Sequence, residues 1–186
     1  MAGGTALALR LGHRLSIDLD FFSAVDEINQ STRQEIKQSL AEFQLHVLED
    51  VDGNLLLRVE QLRIGFFGYG YPLLAVTDTV TDVPLAALVD IGLMKLDALI
   101  SRGSRKDFYD LYMVAQHISL PTLLTQGAVK YPYARDFALM AMESLVLFEN
   151  ANRDLQPELL IDLPWSQVQD FFIAQSQALG KIWFDD

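Results

Sequence analysis

The feature that most constrains the fold is a change of hydrophobic periodicity about halfway along the 186-residue chain. Residues 15–22, 43–50 and 54–69 have the composition and alternation of β-strands, and "DVDGN" predicts a hairpin turn between the last two. From Pro84 onward the apolar spacing is helical. The predicted helices cover residues 85–102, 105–117, 121–127, 133–151 and 165–182. Strands followed by helices predict an α/β or α+β fold.

The ends of the chain add a short helix and a helical appendage to this layout. A helix is predicted over residues 6–11, after a turn at Gly3 and Gly4. We expect a core domain over residues 1–118 and a C-terminal helical region over residues 119–186, unless the two form one continuous domain.

Composition excludes several classes of protein. Hydrophobic residues make up 51% of the chain, which predicts a folded rather than a disordered protein. The absence of cysteine excludes disulfides, thiolate chemistry and Cys-type zinc sites. No apolar stretch reaches the roughly 18–20 residues of a membrane span, and no signal peptide precedes the first motif. We therefore expect a soluble cytoplasmic protein with no membrane partner.

The charge balance limits nucleic-acid binding to a local site. A net charge of −11 argues against a surface that grips nucleic acid broadly, because phosphate neutralisation needs clustered Lys and Arg. Both dense basic groups lie beside acidic motifs, an arrangement that suits a metal–polyphosphate site. They are Arg10, His13 and Arg14, and Arg102, Arg105 and Lys106.

The first acidic motif is "HRLSIDLDFF". On a strand, Asp18 and Asp20 project from the same face with Cα atoms about 6.5–7 Å apart, so both carboxylates can bind one Mg²⁺, which prefers oxygen ligands. Ser16 shares that face, and Arg14 could bind phosphate oxygens bidentately. A solvated strand face is the alternative for the carboxylate pair.

The second motif lies in residues 91–112, "IGLMKLDALISRGSRKDFYDLY". Lys95 lies on an apolar helix, where a lysine either extends to solvent or reaches a phosphate. Asp107 and Asp110, three residues apart, share a face of the next helix. Ser104 and Asp107 also have the spacing of a helix cap, so a purely structural role for this acid stays open.

Both motifs resemble those of one family. "AGGTALALRLGHRLSIDLDFF" is similar to the first motif of the nucleotidyltransferase superfamily with the polymerase-β-like minimal fold, in the form typical of its AbiEii/AbiGii toxin-like branch. The segment from Lys95 to Leu111 resembles the downstream motif of that branch. The resemblance spans residues 2–112 and implies a mixed β-sheet with flanking helices.

The resemblance implies a Mg²⁺-dependent enzyme that transfers NMP from an NTP to an acceptor hydroxyl, as the toxin of a type IV toxin–antitoxin system. The acceptor would be an RNA, a protein or a small molecule, and a cognate antitoxin would be the protein partner. The implied catalytic residues are Asp18, Asp20, Lys95 and Asp107, of which Asp18 and Asp20 hold the metal. The implied nucleotide-binding residues are Gly3, Gly4, Arg14, Ser16, Lys95 and Asp110.

One position departs from the family pattern. A third carboxylate often stands on a later strand of such enzymes, and the aligned residue in "QLRIGFFGY" is Gly65, with Glu60 as the acid nearby. Either two aspartates hold the metal alone or Asp107 assists. Two alternatives follow: a catalytically weakened nucleotide-binding or regulatory protein, also suggested by the short stretch before the glycines, and an interaction module paired with an antitoxin.

The remaining candidates have structural roles in our interpretation. The loop "GYGYP" at residues 68–72 could offer an aromatic wall for a base, although such a loop after a strand is common. His13 could help to bind phosphate, whereas we expect His46 and His117 to be structural or on the surface. No P-loop, GxGxxG or HExxH motif is present.

Overall fold

The structure, a computed structural model, describes residues 1–23, 25, 27–75, 77–80 and 82–184. A four-stranded mixed sheet has the order β1-β4-β3-β2, and a separate hairpin joins β5 to β6. The strands are β1 Leu19–Ser23, β2 Leu45–Val51, β3 Asn54–Val59, β4 Leu62–Gly68, β5 Asp78–Val80 and β6 Val83–Leu85. The pair β1–β4 is parallel and the other pairs are antiparallel.

The described part of the chain contains eight helices. They are α1 Gly3–Leu11, α2 Gln30–Ser39, α3 Leu88–Ser101, α4 Arg105–Ala115, α5 Leu120–Lys130, α6 Phe137–Ser144, α7 Glu149–Arg153 and α8 Trp165–Phe184. The predicted mixture of strands and helices is confirmed. Within the described residues, no helix is both long and apolar enough to cross a membrane.

The sheet separates two hydrophobic clusters. Alternation along β1 directs Leu19 and Phe21 into a small cluster with α2, while Asp20 and Phe22 point to the opposite face. There Phe22 packs against a large cluster built mainly from the helices after β6. That large cluster extends from Ala2 to Leu179. The division into regions at residue 118 stays a prediction.

Three predicted elements have the wrong bounds. The predicted strand over residues 54–69 is two antiparallel strands, β3 and β4, joined by a tight turn at Glu60 and Gln61. The first strand begins at Leu19 instead of residue 15, because residues 13–15 pair with a different segment: Leu15 N donates to Glu158 O, and Leu160 N donates to His13 O. The predicted helix over residues 133–151 is interrupted between α6 and α7, where Phe148 turns into an aromatic cluster with Phe108 and Trp165.

The first helix also differs from its prediction. Gly3 and Gly4 are the first two residues of α1 rather than a turn before it. The amide of Ala2, just before the helix, donates to Asp20 O over 3.0 Å. The N-terminus of α1 is thereby fixed against the start of β1, and this contact brings the two halves of the first motif together.

Candidate active site

The carboxylates of the first motif lie in a cavity between the sheet and helix α3. Asp20 lies on β1 opposite Gly65 of β4, and Asp18 lies immediately before the strand. Both residues line a cavity of about 500 Å³. Burial raises the pKa of Asp20, and the nearby charge of Asp18 raises it further. A carboxylate pair with this electrostatic strain is a fitting donor set for a divalent cation.

The two glycines of α1 allow close contact with the charged side chains. Gly3 has a φ of +77°, and a Cβ there would lie 3.0 Å from Asp20 Oδ2. A Cβ at Gly4 would lie 2.4 Å from Arg14 Nη2. Because a side chain at position 4 would collide with the guanidinium, glycine is required for Arg14 to lie against the helix N-terminus.

Thr5 is a residue of this site that the sequence analysis did not single out. Its hydroxyl group donates to Asp18 O and lies 2.8 Å from the hydroxyl of Ser16. Ser16 lines the cavity, whereas Thr5 is buried behind it. Thr5 therefore links the helix to the segment that carries both Ser16 and Asp18.

The second motif brings its lysine into the same cavity. Lys95 of α3 lines the cavity, yet only 5% of its surface is exposed. Its ammonium lies 2.9 Å from Asp107 Oδ1 and 2.7 Å from Asp110 Oδ2, both fully buried on α4. An ammonium has three N–H donors. Two carboxylates thus hold Lys95 at the cavity wall and leave one donor for a ligand.

Asp110, predicted to bind the nucleotide, lies behind the cavity wall in the structure. Asp110 is fully buried and absent from the cavity wall, and it accepts two hydrogen bonds from Arg14, Nε over 2.6 Å and Nη2 over 2.8 Å. His13, fully buried as well, contacts the same carboxylate through Nε2 at 2.8 Å and does not reach the cavity. Lys95, Arg14 and His13 together hold the pKa of Asp110 below its ordinary value, although burial opposes them.

Arg14, a predicted phosphate ligand, is held by Asp110, and its contact with phosphate stays a prediction. Its Nε and Nη2 donate to Asp110 and its Nη1 donates to Leu15 O, so the Nε–Nη2 edge is not available to phosphate and two of the five N–H donors remain. Arg14 nevertheless lines the cavity beside Gly4. It contributes its positive charge there, and Asp110 fixes its orientation.

Arg102 joins the cluster through Asp107. Its Nε and Nη2 each donate over 2.8 Å to the two oxygens of Asp107, and Ser104 Oγ donates over 2.5 Å. Burial alone would raise the pKa of Asp107, but Lys95 and Arg102 lower it below the ordinary value. The spacing of Ser104 and Asp107 predicted a helix cap. The serine is the residue before α4, but its hydroxyl binds the Asp107 side chain instead of a backbone amide.

The cavity wall is cationic although the protein is acidic. Among the described residues, five cationic side chains and three carboxylates line it. The cationic residues are Arg14, Arg63, Lys95, Arg102 and Lys106, and the acids are Asp18, Asp20 and Asp97. Against a net charge of −11 for the chain, this local excess favours an anionic ligand.

The place of the missing third carboxylate is filled by a ring. A Cβ at Gly65 would lie 3.2 Å from Asp20 Oδ1, so the position does face the carboxylate pair. The same Cβ would lie 2.4 Å from Cε2 of Phe67, whose ring covers Gly65. Glu60 lies at the turn before β4 and does not line the cavity. Among the described residues, no group of three or more His, Asp or Glu side chains could hold a metal ion.

The other candidates separate into cavity and surface residues. Tyr69 of "GYGYP" lines the cavity together with Phe22 and Phe67. His46 and His117 are exposed, as expected. No composition signal distinguished the two phenylalanines from core residues, because their register opposite Asp20 and Gly65 exists only in the folded sheet.

Comparison with known proteins identifies the family and the fold. A family model described as "Nucleotidyl transferase AbiEii toxin, Type IV TA system" matches residues 1–178. An uncharacterised protein of Aquifex aeolicus (strain VF5) is 35% identical over 178 residues, which are 92% of this chain and 83% of that protein.

Two crystal structures of Helicobacter pylori proteins share the fold. One, provisionally described as a nucleotidyltransferase, has a TM-score of 0.54 at 17% identity and covers 97% of this chain and 85% of its own. The other, JHP933, has a TM-score of 0.52 at 16% identity, with 97% and 83% covered. At such low identity these two show the fold alone. The match along residues 1–178 shows more: this chain belongs to the AbiEii family of nucleotidyltransferase toxins of type IV toxin–antitoxin systems.

Proposed function

We propose that this protein transfers a nucleoside monophosphate from a Mg²⁺-bound nucleoside triphosphate to an acceptor hydroxyl, as the toxin of a toxin–antitoxin pair. The observation that carries the proposal is one cavity, in an acidic protein, lined by both a carboxylate pair and five cationic side chains. Carboxylates suit a divalent cation and the cations suit phosphate, so both halves of a metal–triphosphate have partners there.

Asp18 and Asp20 would hold the metal. Bound Mg²⁺ would neutralise phosphate charge and favour the in-line arrangement of the reacting groups. The N-terminus of α1 at Gly3 and Gly4, with the Ser16 hydroxyl, would bind phosphate oxygens, because helix N-termini expose unpaired amides and a partial positive charge. The free donor of Lys95 would bind a further phosphate oxygen.

The buried acids of α4 act as positioning residues in this proposal. Of the roles considered for Asp107, orienting Lys95 fits its contacts better than acting as a base, because its pKa is lowered and Lys95, Arg102 and Ser104 occupy its oxygens. Asp110 orients Lys95 and Arg14 from behind the cavity wall. Catalysis would then rest mainly on positioning and electrostatics.

The bond changes balance with these groups alone. The acceptor oxygen forms a bond to the α-phosphorus, the bond from the α-phosphorus to the α–β bridging oxygen breaks, and pyrophosphate leaves. The acceptor's proton passes to solvent or to the leaving group. The cationic wall opposes the charge that develops on the pyrophosphate. An RNA, a protein or a small molecule could supply the hydroxyl.

The second candidate is a nucleotide-binding protein with weak or no turnover. The Phe67 ring over Gly65 favours it, since a third carboxylate is absent from a position that faces Asp20. Such a protein would bind Mg²⁺–nucleotide and form no product.

One set of incubations separates these functions. The protein is mixed with each of four α-labelled NTPs, Mg²⁺ and a cell extract, and label transferred to macromolecules or small products is followed. We expect transfer that Asp18→Ala and Asp20→Ala each reduce by roughly 100-fold or more. Asp170→Ala, an exposed acid on α8, is the matched control. Binding without product would support the second candidate, and neither binding nor transfer would refute both.

A further inference from the structure

The sheet forms one wall of the cavity, and this wall changes from charged to aromatic along the direction of β1 and β4. Asp20 and Phe22 point to the same face of β1, and their parallel partners Gly65 and Phe67 continue that face on β4. Tyr69 follows, with its amide donating to Ser23 O over 2.9 Å. Phe22, Phe67 and Tyr69 are all partly exposed and all line the cavity. The apolar end of the cavity thus lies about two strand residues, roughly 6.6 Å, beyond Asp20.

We propose that this aromatic end is the nucleobase subsite. The base stacks against Tyr69 and Phe22, and a hydrogen-bond donor on the edge of the base donates to Asp97. The inference rests on the proposed function, because it places the base one ribose away from an α-phosphate held near Asp20. The direction follows from the chain: Gly4 lies against Arg14 and Ser16, which precede β1, whereas Phe22 lies two residues beyond Asp20 on the strand. The first group forms the proposed phosphate end.

The rings are held in place before any ligand binds. Phe22 stacks on Phe67 with centroids 5.1 Å apart and meets Tyr69 edge-on at 5.4 Å. The Tyr69 hydroxyl lies 2.6 Å from that of Tyr131, and the buried ammonium of Lys130 lies 5.4 Å from the Tyr69 ring centroid. Preorganised rings lose little conformational entropy when a base stacks on them.

Asp97 is a cavity-lining acid to which the proposed function gives no role. It lies on α3 and lines the cavity, and it makes no hydrogen bond or ion pair with any residue that the structure describes. Asp97 and Tyr69 line the same cavity, and burial raises the pKa of Asp97 while the nearby charge of Arg102 opposes that rise. A carboxylate only accepts hydrogen bonds when ionised, so it selects an N–H donor on the base.

The experiment compares full nucleotides with a ligand that has no base. Dissociation constants of the four NTPs and of inorganic tripolyphosphate are measured with Mg²⁺ by calorimetry, on variants whose folding is checked by circular dichroism. We expect Tyr69→Leu to weaken all four NTPs by roughly 5- to 100-fold and to leave tripolyphosphate unchanged, since base–aromatic stacking depends little on which base is bound. Tyr69→Phe, which keeps the ring, should retain most of the affinity and guards against a folding defect.

The two parts of the proposal fail in different ways. Asp97→Asn should change the ratios between the dissociation constants of the four NTPs by about tenfold, because an amide can also donate hydrogen bonds to the base. Tyr133→Leu, an exposed tyrosine outside the cavity, is the matched control. If wild-type protein binds tripolyphosphate as tightly as any NTP, the base subsite is refuted while the phosphate site stands. If it binds neither, the proposed function fails with it.

Discussion

At the scale of single residues, the site combines carboxylates with opposite electrostatic environments. Asp20 is partly desolvated beside Asp18, and its pKa is raised. Asp107 and Asp110 are buried against cations, and their pKa values are lowered. The environment of Asp20 disfavours its charged form and so lowers the stability of the folded protein, whereas the charges of Asp107 and Asp110 are stabilised by their cationic partners. Removing the charge of Asp20 should therefore raise the free energy of unfolding, and removing that of Asp107 or Asp110 should lower it.

The variant Asp20→Asn should lose activity and gain stability. It removes one proposed metal ligand, so transfer should fall by roughly 100-fold or more. It also removes the repulsion with Asp18, so the Tm without metal should rise. A raised folded-state pKa means that the wild type loses stability as pH increases from about 4 through that pKa. The Tm difference should therefore be small below about pH 4 and largest at neutral pH, as measured by calorimetric scans. An equal difference at every pH would contradict this account.

The variant Asp110→Ala should be strongly destabilised. It leaves the buried charges of Arg14 and Lys95 without a shared partner, a situation that costs about 3–5 kcal/mol. Urea unfolding gives the free energy directly. Glu149→Ala breaks an exposed ion pair with Arg153 and should change the free energy of unfolding by no more than about 0.5 kcal/mol. Similar losses in the two variants would argue against a buried charge network.

At the scale of elements, the contact between α1 and the segment before β1 depends on glycine. The variant Gly4→Ala places a Cβ 2.4 Å from Arg14 Nη2, so the guanidinium must shift. We expect a loss of about 1–3 kcal/mol in stability and weaker binding of Mg²⁺–NTP, measured by urea unfolding and calorimetry.

A second glycine provides the control for that substitution. Gly180 lies inside α8, and a Cβ there meets nothing within 4 Å. Gly180→Ala should therefore raise the free energy of unfolding by roughly 0.5–1 kcal/mol and leave nucleotide binding unchanged. If Gly4→Ala behaves in the same way, the close approach of Arg14 is not a structural requirement.

Local hydrophobic patterns predicted which helices and strands form more accurately than they predicted where each one begins and ends. The β2–β3 hairpin and the helices after residue 85 follow from alternation and apolar spacing. The start of β1 does not, because the segment before Leu19 pairs with residues near Glu158, more than a hundred positions away in sequence. A long-range backbone contact leaves no periodic signal.

The same limit applies to the site. The resemblance identified Asp18, Asp20 and Lys95, and the fold brings all three to one cavity. It could not show that Arg14 is bound by Asp110, because nothing in either motif records their contact. Nor could it identify Phe67, whose ring covers Gly65 only through the geometry of the strand.

At the scale of the whole molecule, the cavity lies where the sheet meets the helical body. The buried pair of Asp90 on α3 and Lys130 on α5, 2.7 Å apart, connects the helical body to the loop after β4: Asp90 accepts from the amide of Leu74, and Lys130 donates to Pro72 O. This loop carries Tyr69 at its start, so the packing of α3 on α5 bears on the cavity wall. A ligand in the cavity would contact both parts at once.

Ligand binding should therefore stabilise the entire chain. At a concentration 100 times its dissociation constant, a non-hydrolysable NTP with Mg²⁺ contributes about 2.7 kcal/mol, equivalent to a Tm increase of about 5–10 °C for a chain of this length. In Lys95→Met the proposed phosphate donor is lost, so the shift at the same ligand concentration should largely disappear. Lys181→Met, an exposed lysine on α8, should retain it. The comparison uses the shift within each variant, because Lys95→Met also lowers the Tm of the free protein by leaving Asp107 and Asp110 with fewer cations. A full Tm shift in Lys95→Met would mean that the triphosphate does not contact this lysine, although Lys95 lines the cavity and is held there by Asp107 and Asp110.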